Sequence, residues 1–288
     1  MEINGLRFII GSGCNYNCFF CHHEGYEKQS YDDVDKDKLL KISNFTKNNG
    51  IHDISITGGE PFIYWNRLKY LFELFSDNNY KITLNSNLSL ADKFIEIIKQ
   101  YSNVEYHINF SSLKNDVHKK IIGKEYLEKL KNNLELFKSN GLNVCLNIPV
   151  LNGINDNELM DILNYCKTMD FKPRFLVLFP MNAEQQKYFL DVNEIMDKIP
   201  ESKLEKKYSY GRYDVKSNIG NYEIVKCLCI DKECNLCKKT TYVHITPNLN
   251  MRLCMLGKKE YPIDFTNDKT VNESFSNVSK RLKYECNF

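Results

Sequence analysis

Apolar and polar residues alternate in blocks along the first 180 positions. Residues 6–10, Leu6-Arg7-Phe8-Ile9-Ile10, form a short apolar run stopped by Gly11-Ser12-Gly13, which predicts a buried strand. Residues 35–49 carry Leu39, Leu40, Ile42 and Phe45 at helical spacing and close at Asn49-Gly50, a helix-end pair. Residues 53–57 are strand-like again and stop at Gly58-Gly59. The pattern continues with helices expected over 66–75, 90–100, 124–139 and 157–169, and strands over 81–84, 104–110, 142–149 and 174–179. About six such alternations predict an α/β fold, a parallel sheet with helices outside that is either open or a partial barrel. Such sheets carry their chemistry on loops beyond the strand C-terminal ends. The loops after residues 10 and 57 occupy that position.

The character changes after Pro180. Residues 201–221 are polar and tyrosine-rich with weak periodicity, and residues 264–288 are polar without a clear period. A boundary is therefore expected near residue 200, separating a barrel unit (1–200) from an extension (201–288). The total of 288 residues suits one α/β barrel of about 250 residues or two smaller domains.

Charge narrows the function classes. Lys and Arg total 39 against 37 Asp and Glu, a net +2, so no basic footprint for nucleic acid or anionic membrane is expected. No apolar stretch approaches the ~20 residues that span a bilayer. The first residues lack the basic stretch and apolar core of a signal peptide, so a cytoplasmic location is expected.

Eleven cysteines in a chain of this size read as metal or cluster ligands rather than disulfide staples. Cys14, Cys18 and Cys21 form one group; Cys227, Cys229, Cys234, Cys237 and Cys254 form another. Cys145 and Cys166 stand alone in apolar surroundings as small core residues. Three thiolates spaced Cys-x3-Cys-x2-Cys on one loop can wrap a single cube of iron and sulfide, leaving one iron open. The alternative, with His22 and His23 adjacent, is a zinc loop. Zinc sites, however, usually draw ligand pairs from two separated segments.

Cys14-x3-Cys18-x-Phe20-Cys21 resembles the radical S-adenosylmethionine (SAM) superfamily signature, with an aromatic residue before the third cysteine. The resemblance implies a [4Fe–4S] cluster whose open iron binds the amino and carboxylate groups of SAM. Reduction then yields methionine and a 5′-deoxyadenosyl radical. Gly58-Gly59-Glu60-Pro61 is similar to the family's GGE motif, which implies that this backbone and Glu60 bind the methionine amino group. Ser86-Asn87 and Ser111-Ser112 end the third and fourth strands and resemble residues that hold the SAM carboxylate and ribose, although turn residues look the same.

Within the superfamily the chain resembles the GTP 3′,8-cyclase group through Leu6-Arg7, residues 57–61, 109–113, Ile122-Gly123, Asn147, 153–158, Arg174-Phe175 and 179–181. That implies a partial (βα)6 barrel with a C-terminal extension holding a second [4Fe–4S] cluster. Cys234-x2-Cys237-x16-Cys254 is similar to that second site, with Cys227 or Cys229 available as a fourth ligand; a zinc ribbon is the alternative. Three departures point away from GTP itself. Lys238-Lys239 stands where the cyclases carry an Arg-x-Arg pair, and Phe62-Ile63-Tyr64-Trp65 where they place an Arg. The chain also closes on Cys286-Asn287-Phe288 rather than Gly-Gly.

The expectation is therefore an enzyme, reduced by a flavodoxin- or ferredoxin-type donor, acting on a small-molecule or nucleotide-like substrate between two clusters. Arg7, Arg174, Lys238 and Lys239 are the candidate substrate contacts; Arg7, Lys238, Lys239 and Arg252 read equally as solvated charges. A peptide maturase with an auxiliary cluster is the second reading. It is disfavoured by a first strand that begins near residue 5, without room for a preceding recognition domain. A zinc-binding module without catalysis is the third.

Overall fold

A computed structural model describes residues 3–23, 32–77, 79–231, 241–255 and 257–281 of the chain. Strands β1 (Ile3–Ile9), β2 (Asp53–Thr57), β3 (Lys81–Ser86), β4 (Val104–Asn109), β5 (Asn143–Val150) and β6 (Lys172–Val177) lie side by side in sequence order, each parallel to the next. Between them run α1 (Lys36–Asn48), α2 (Trp65–Leu74), α3 (Ile95–Ile98), α4 (Asn115–Ile122), α5 (Leu127–Ser139) and α6 (Leu159–Met169). The strand–helix alternation expected from the apolar pattern is the fold observed, with most element ends displaced by one to three residues.

Each strand sends one set of side chains to the helices and the other to a central cavity. Ile54 and Ile56, Ile82 and Leu84, Tyr106 and Ile108, Leu146 and Ile148 are fully buried in one core with Leu39, Ile42, Leu68, Phe72, Leu134 and Ile162 of the helices. Burial of each such side chain contributes about 1.5–3 kcal/mol. The alternate positions, Arg7, Ser55, Asn85, His107, Asn147, Arg174 and His244, line a cavity of about 440 Å³. That cavity touches β9 (Asn221–Val225) and β10 (Thr241–Ile245), which a flat sheet would hold more than about 30 Å apart. The sheet therefore curls around it.

Residues beyond 200 extend the same sheet at both edges. β7 (Lys203–Lys207), β8 (Arg212–Lys216) and β9 (Asn221–Val225) form an antiparallel meander joined to β6, with β9 parallel to β6. On the other side β10 (Thr241–Ile245) runs parallel to β1, and β11 (Met251–Arg252) antiparallel to β10. A last helix, Asp268–Arg281, stacks Phe275 on Phe45 of α1 at 3.9 Å between ring centroids.

Three features differ from expectation. The weakly periodic residues 201–221 contain two strands and lead into a third, because β7 is an edge strand exposed along its whole length and needs no apolar face. Helix α4 occupies a stretch for which the apolar pattern predicts no element, and its buried residues are only His118, Ile121 and Ile122. The helix expected over 90–100 is a 3₁₀ turn, Ala91–Phe94, followed by the single turn α3. No helix among the described residues is long and apolar enough to cross a membrane.

Candidate active site

The loop leaving β1 is laced to the end of β2. Ile10 N–H donates to Thr57 O at 2.9 Å, Gly59 N–H to Gly11 O at 2.8 Å and Glu60 N–H to Gly13 O at 2.8 Å. The approach is so close that a Cβ on Gly59 would meet Gly13 O at 2.1 Å, which only glycine avoids. Tyr64 closes the turn by accepting Gly13 N–H on its hydroxyl at 2.6 Å. The cysteine segment is then gripped by α4: Asn17 N–H and Phe19 N–H donate to the helix-end carbonyls of Ile122 and Ile121 at 2.9 and 3.2 Å. These carbonyls have no partner inside the helix, so the loop satisfies them. Gly123 caps α4 with φ +73°, in the left-handed region where glycine is unstrained.

Cys14, Cys18 and Cys21 share this loop; Tyr16 N–H donates to Cys14 Sγ at 3.4 Å and His23 N–H to Cys21 Sγ at 3.3 Å. Desolvation, with the negative charge of Glu60 and Cys21 nearby, pushes the Cys14 thiol up to about 11 despite the Tyr16 bond. Burial and the charges of Cys21 and Cys14 drive Cys18 upward as well. Three thiolates therefore become stable together only when a cation replaces their protons. A cubane spreads its thiolates over separate irons. The donor set fits an iron–sulfur cluster. Phe20 packs edge-on to Phe19 at 5.9 Å in the small apolar cluster around Ile121 and Ile122.

Glu60 is the hub between the loops. It is fully buried, and its carboxylate accepts Phe62 N–H at 3.0 Å, Ser86 Oγ–H at 2.8 Å and Asn87 N–H at 2.7 Å. Burial pushes its carboxyl up to about 7, against those three bonds. The side chain thus ties the end of β3 to the turn after β2. Ser86 spends its hydroxyl on Glu60 and also accepts Leu88 N–H at 2.8 Å, while Asn87 turns its amide to the cysteine loop. Ser111 is fully buried; its hydroxyl donates to Asn109 Oδ1 at 3.1 Å and its backbone carbonyl accepts from Asn155 Nδ2 at 2.7 Å. Asn155 and Glu158, quoted only as part of a motif, prove to be braces: Glu158 accepts Ser112 Oγ–H at 2.8 Å and Leu113 N–H at 3.0 Å.

Two residues of the cavity wall, His107 and Arg174, belong to a chain of charges that runs on beyond it. Lys172 donates to Glu105 at 2.7 Å, His107 Nε2–H to Glu105 at 3.2 Å, Arg174 to His107 Nδ1 at 2.9 Å and to Glu223 at 2.7 Å, and Arg212 to Glu223 at 2.7 Å. The His107 bond, with help from Lys172, holds Glu105 well below the usual carboxylate range. Burial keeps His107 neutral, in the tautomer that accepts from Arg174. Arg7 donates to Ser55 Oγ at 3.2 Å. Asn147 Oδ1 is buried without a hydrogen-bond partner on the same wall. Arg252, read above as a surface charge, is buried and donates to Met255 O at 3.2 Å and to Gly257 O. Of the tyrosines, Tyr242 lines the cavity, Tyr213 and Tyr222 belong to the core, and Tyr208 stacks near Tyr210.

Of the second cysteine group, Cys227, Cys229 and Cys254 are half-buried. Cys227 and Cys229 flank the start of a short turn after β9, and Cys254 follows β11 beside the cavity-lining Met255. Cys234, Cys237, Lys238 and Lys239 lie outside the described residues.

The profile described as "Radical SAM superfamily" matches residues 8–166, more than half of the chain, including the cysteine loop and Glu60 with its partners. The chain belongs to the radical SAM superfamily. It is accordingly a radical SAM enzyme, and the family's [4Fe–4S] cluster and SAM are its cofactors. A GTP 3′,8-cyclase of Clostridium botulinum is 26% identical over 272 residues, covering 90% of this chain and 83% of that protein. A probable GTP 3′,8-cyclase of Archaeoglobus fulgidus is 24% identical, covering 91% and 89%. Among solved structures, Streptococcus suis SuiB bound to precursor peptide SuiA superposes with a TM-score of 0.70 at 12% identity, covering 96% of this chain and 67% of that one. Native anSMEcpe with bound AdoMet superposes with a TM-score of 0.62 at 15% identity, covering 99% and 84%. Both show the same radical SAM fold. When bound, cluster and SAM together supply reductive cleavage to a 5′-deoxyadenosyl radical; the protein supplies placement and exclusion of water.

Proposed function

We propose that this radical SAM enzyme holds its [4Fe–4S] cluster on Cys14, Cys18 and Cys21 and directs the radical at an anionic small-molecule or nucleotide-like substrate in the curled-sheet cavity. The cavity wall carries this reading. Arg7 on β1 and Arg174 on β6 both line the cavity, and Asn147 Oδ1 adds a buried acceptor that has no partner among the described residues. Guanidinium groups suit a carboxylate or phosphate through paired donors. The nucleotide element of the proposal comes from the sequence relatives named GTP 3′,8-cyclase. Lys238-Lys239 in place of an arginine pair, and Phe62 to Trp65 where an Arg is expected, favour a related substrate over GTP itself. The second cysteine group is proposed to hold an auxiliary cluster on Cys234, Cys237 and Cys254, with Cys227 or Cys229 near enough in sequence to complete it. The electron is proposed to come from a flavodoxin- or ferredoxin-type donor.

Anaerobic reconstitution followed by iron analysis and a deoxyadenosine assay tests the proposal. About eight irons per chain are expected if both groups hold cubanes, and about four if only the first does. Deoxyadenosine release should rise when nucleoside phosphates are added. A rise with peptides and none with any nucleotide would favour a peptide substrate; a precursor peptide is what the SuiB structure is named as binding. Replacing Arg174 by Gln is expected to raise the KM of an anionic substrate roughly 10- to 100-fold, the worth of one charged hydrogen bond. Deoxyadenosine formed without substrate should stay unchanged; equal losses in both assays would remove Arg174 from the substrate site.

A further inference from the structure

Asn87 ends β3 with its amide pointed at the cysteine loop rather than at open space. Its Nδ2 lies 3.7 Å from Cys14 Sγ and 2.9 Å from Asn15 Oδ1, so both amide protons have acceptors there. The amide cannot be turned over: Oδ1 accepts Ser89 N–H at 3.0 Å and Ser89 Oγ–H at 2.7 Å, and a flip would set an NH2 against a backbone N–H. Asn15 Nδ2 donates to Ser89 Oγ at 2.7 Å, which closes a ring of three side chains. Glu60 fixes the backbone of Asn87 from behind at 2.7 Å, and the residue is 6% exposed.

A donor locked onto a ligand sulfur has an electronic consequence. One-electron reduction of a cubane, with the electron supplied by an external donor, puts negative charge on its sulfurs, and N–H groups aimed at them favour the reduced form. We infer that Asn87 tunes the reduction potential of the cluster through Cys14, raising it, and that this is its role rather than contact with SAM. The inference rests on the cluster assignment above. Asn87 joins buried Glu60, through its backbone N–H, to Cys14, through its side-chain amide.

The test is a redox titration of the reconstituted protein, monitored by electron paramagnetic resonance without SAM. Asn87→Ala removes the donor. Asn87→Asp keeps the acceptor for Ser89 but replaces the donor with a charged oxygen. Both are expected to lower the midpoint potential at unchanged iron content, Asn87→Asp more than Asn87→Ala, with SAM affinity changed less than twofold. Unchanged potentials with weakened SAM binding would overturn the inference and return Asn87 to the SAM site. Should both variants lose their iron, the wild type decides. Hyperfine coupling between the reduced cluster and ¹⁵N-labelled asparagine supports the role, and no coupling overturns it. A wild type that binds no cluster would instead defeat the assignment beneath the inference.

Discussion

Cys18→Ser is expected to abolish the iron–sulfur absorption of the first site and all deoxyadenosine formation, while the chain still folds. Cys18 sits half-buried between Cys14 and Cys21 on a loop held by backbone bonds from Gly11, Gly13, Ile121 and Ile122, none of which involves its sulfur. The loop geometry therefore survives and the ligand is lost. A serine oxygen is a poor ligand for iron in a sulfide cube, where thiolates are the rule. Circular dichroism should match the wild type, iron should fall by about four per chain, and SAM should persist uncleaved under reductant. Retained deoxyadenosine formation in iron-replete Cys18→Ser protein would remove this cysteine from the cluster.

Glu60→Ala is expected to be the most destabilising single change in the molecule. It leaves Phe62 N–H, Ser86 Oγ–H and Asn87 N–H without an acceptor in a site that water does not reach. An unpaired buried donor costs about 1–3 kcal/mol, so a loss of roughly 3–6 kcal/mol is expected. Denaturant unfolding should show a lowered midpoint at constant slope. The wild type carries a pH signature of the same residue. Its carboxyl rises from 4.5 to about 7 on folding, so the native chain binds the extra proton between those values. Native stability from this group is full below about 4.5 and falls as pH rises towards 7, by on the order of 3 kcal/mol. Glu60→Gln should flatten that part of the stability–pH curve; an unaltered slope would assign the titration elsewhere.

Much of the first site was legible before any coordinates. Cys14, Cys18 and Cys21 are close in sequence, so their spacing alone brings them to one loop, and Gly58-Gly59 declares a backbone approach that a Cβ would block. The motif did not disclose what Glu60 holds. Its partners Ser86 and Asn87 are 26 and 27 residues away, and they reach it only because β2 and β3 are paired neighbours. Glu158, 46 residues from Ser112, is the same case. The cavity had a sequence signal that the apolar runs conceal. Arg7, Ser55, Asn85, His107, Asn147 and Arg174 occupy alternate positions in otherwise apolar strands. In a parallel sheet covered on both faces such polar interruptions would be costly, so their recurrence marks a polar interior.

Sequence by itself determined the α/β alternation, the cysteine loop and the superfamily, because periodicity and ligand spacing are local properties set within one element or one turn. Tertiary structure alone decided where residues beyond 200 belong. β9 and β10 join β6 and β1, which lie far away in sequence, and Tyr213, Val215, Tyr222, Ile224, Val243 and Ile245 pack into the common core only once those edges are paired. It also decided that Asn87 faces Cys14 and that Arg174 joins His107 to Glu223. Each of these contacts spans 49 to 73 residues and exists only once neighbouring strands are in register.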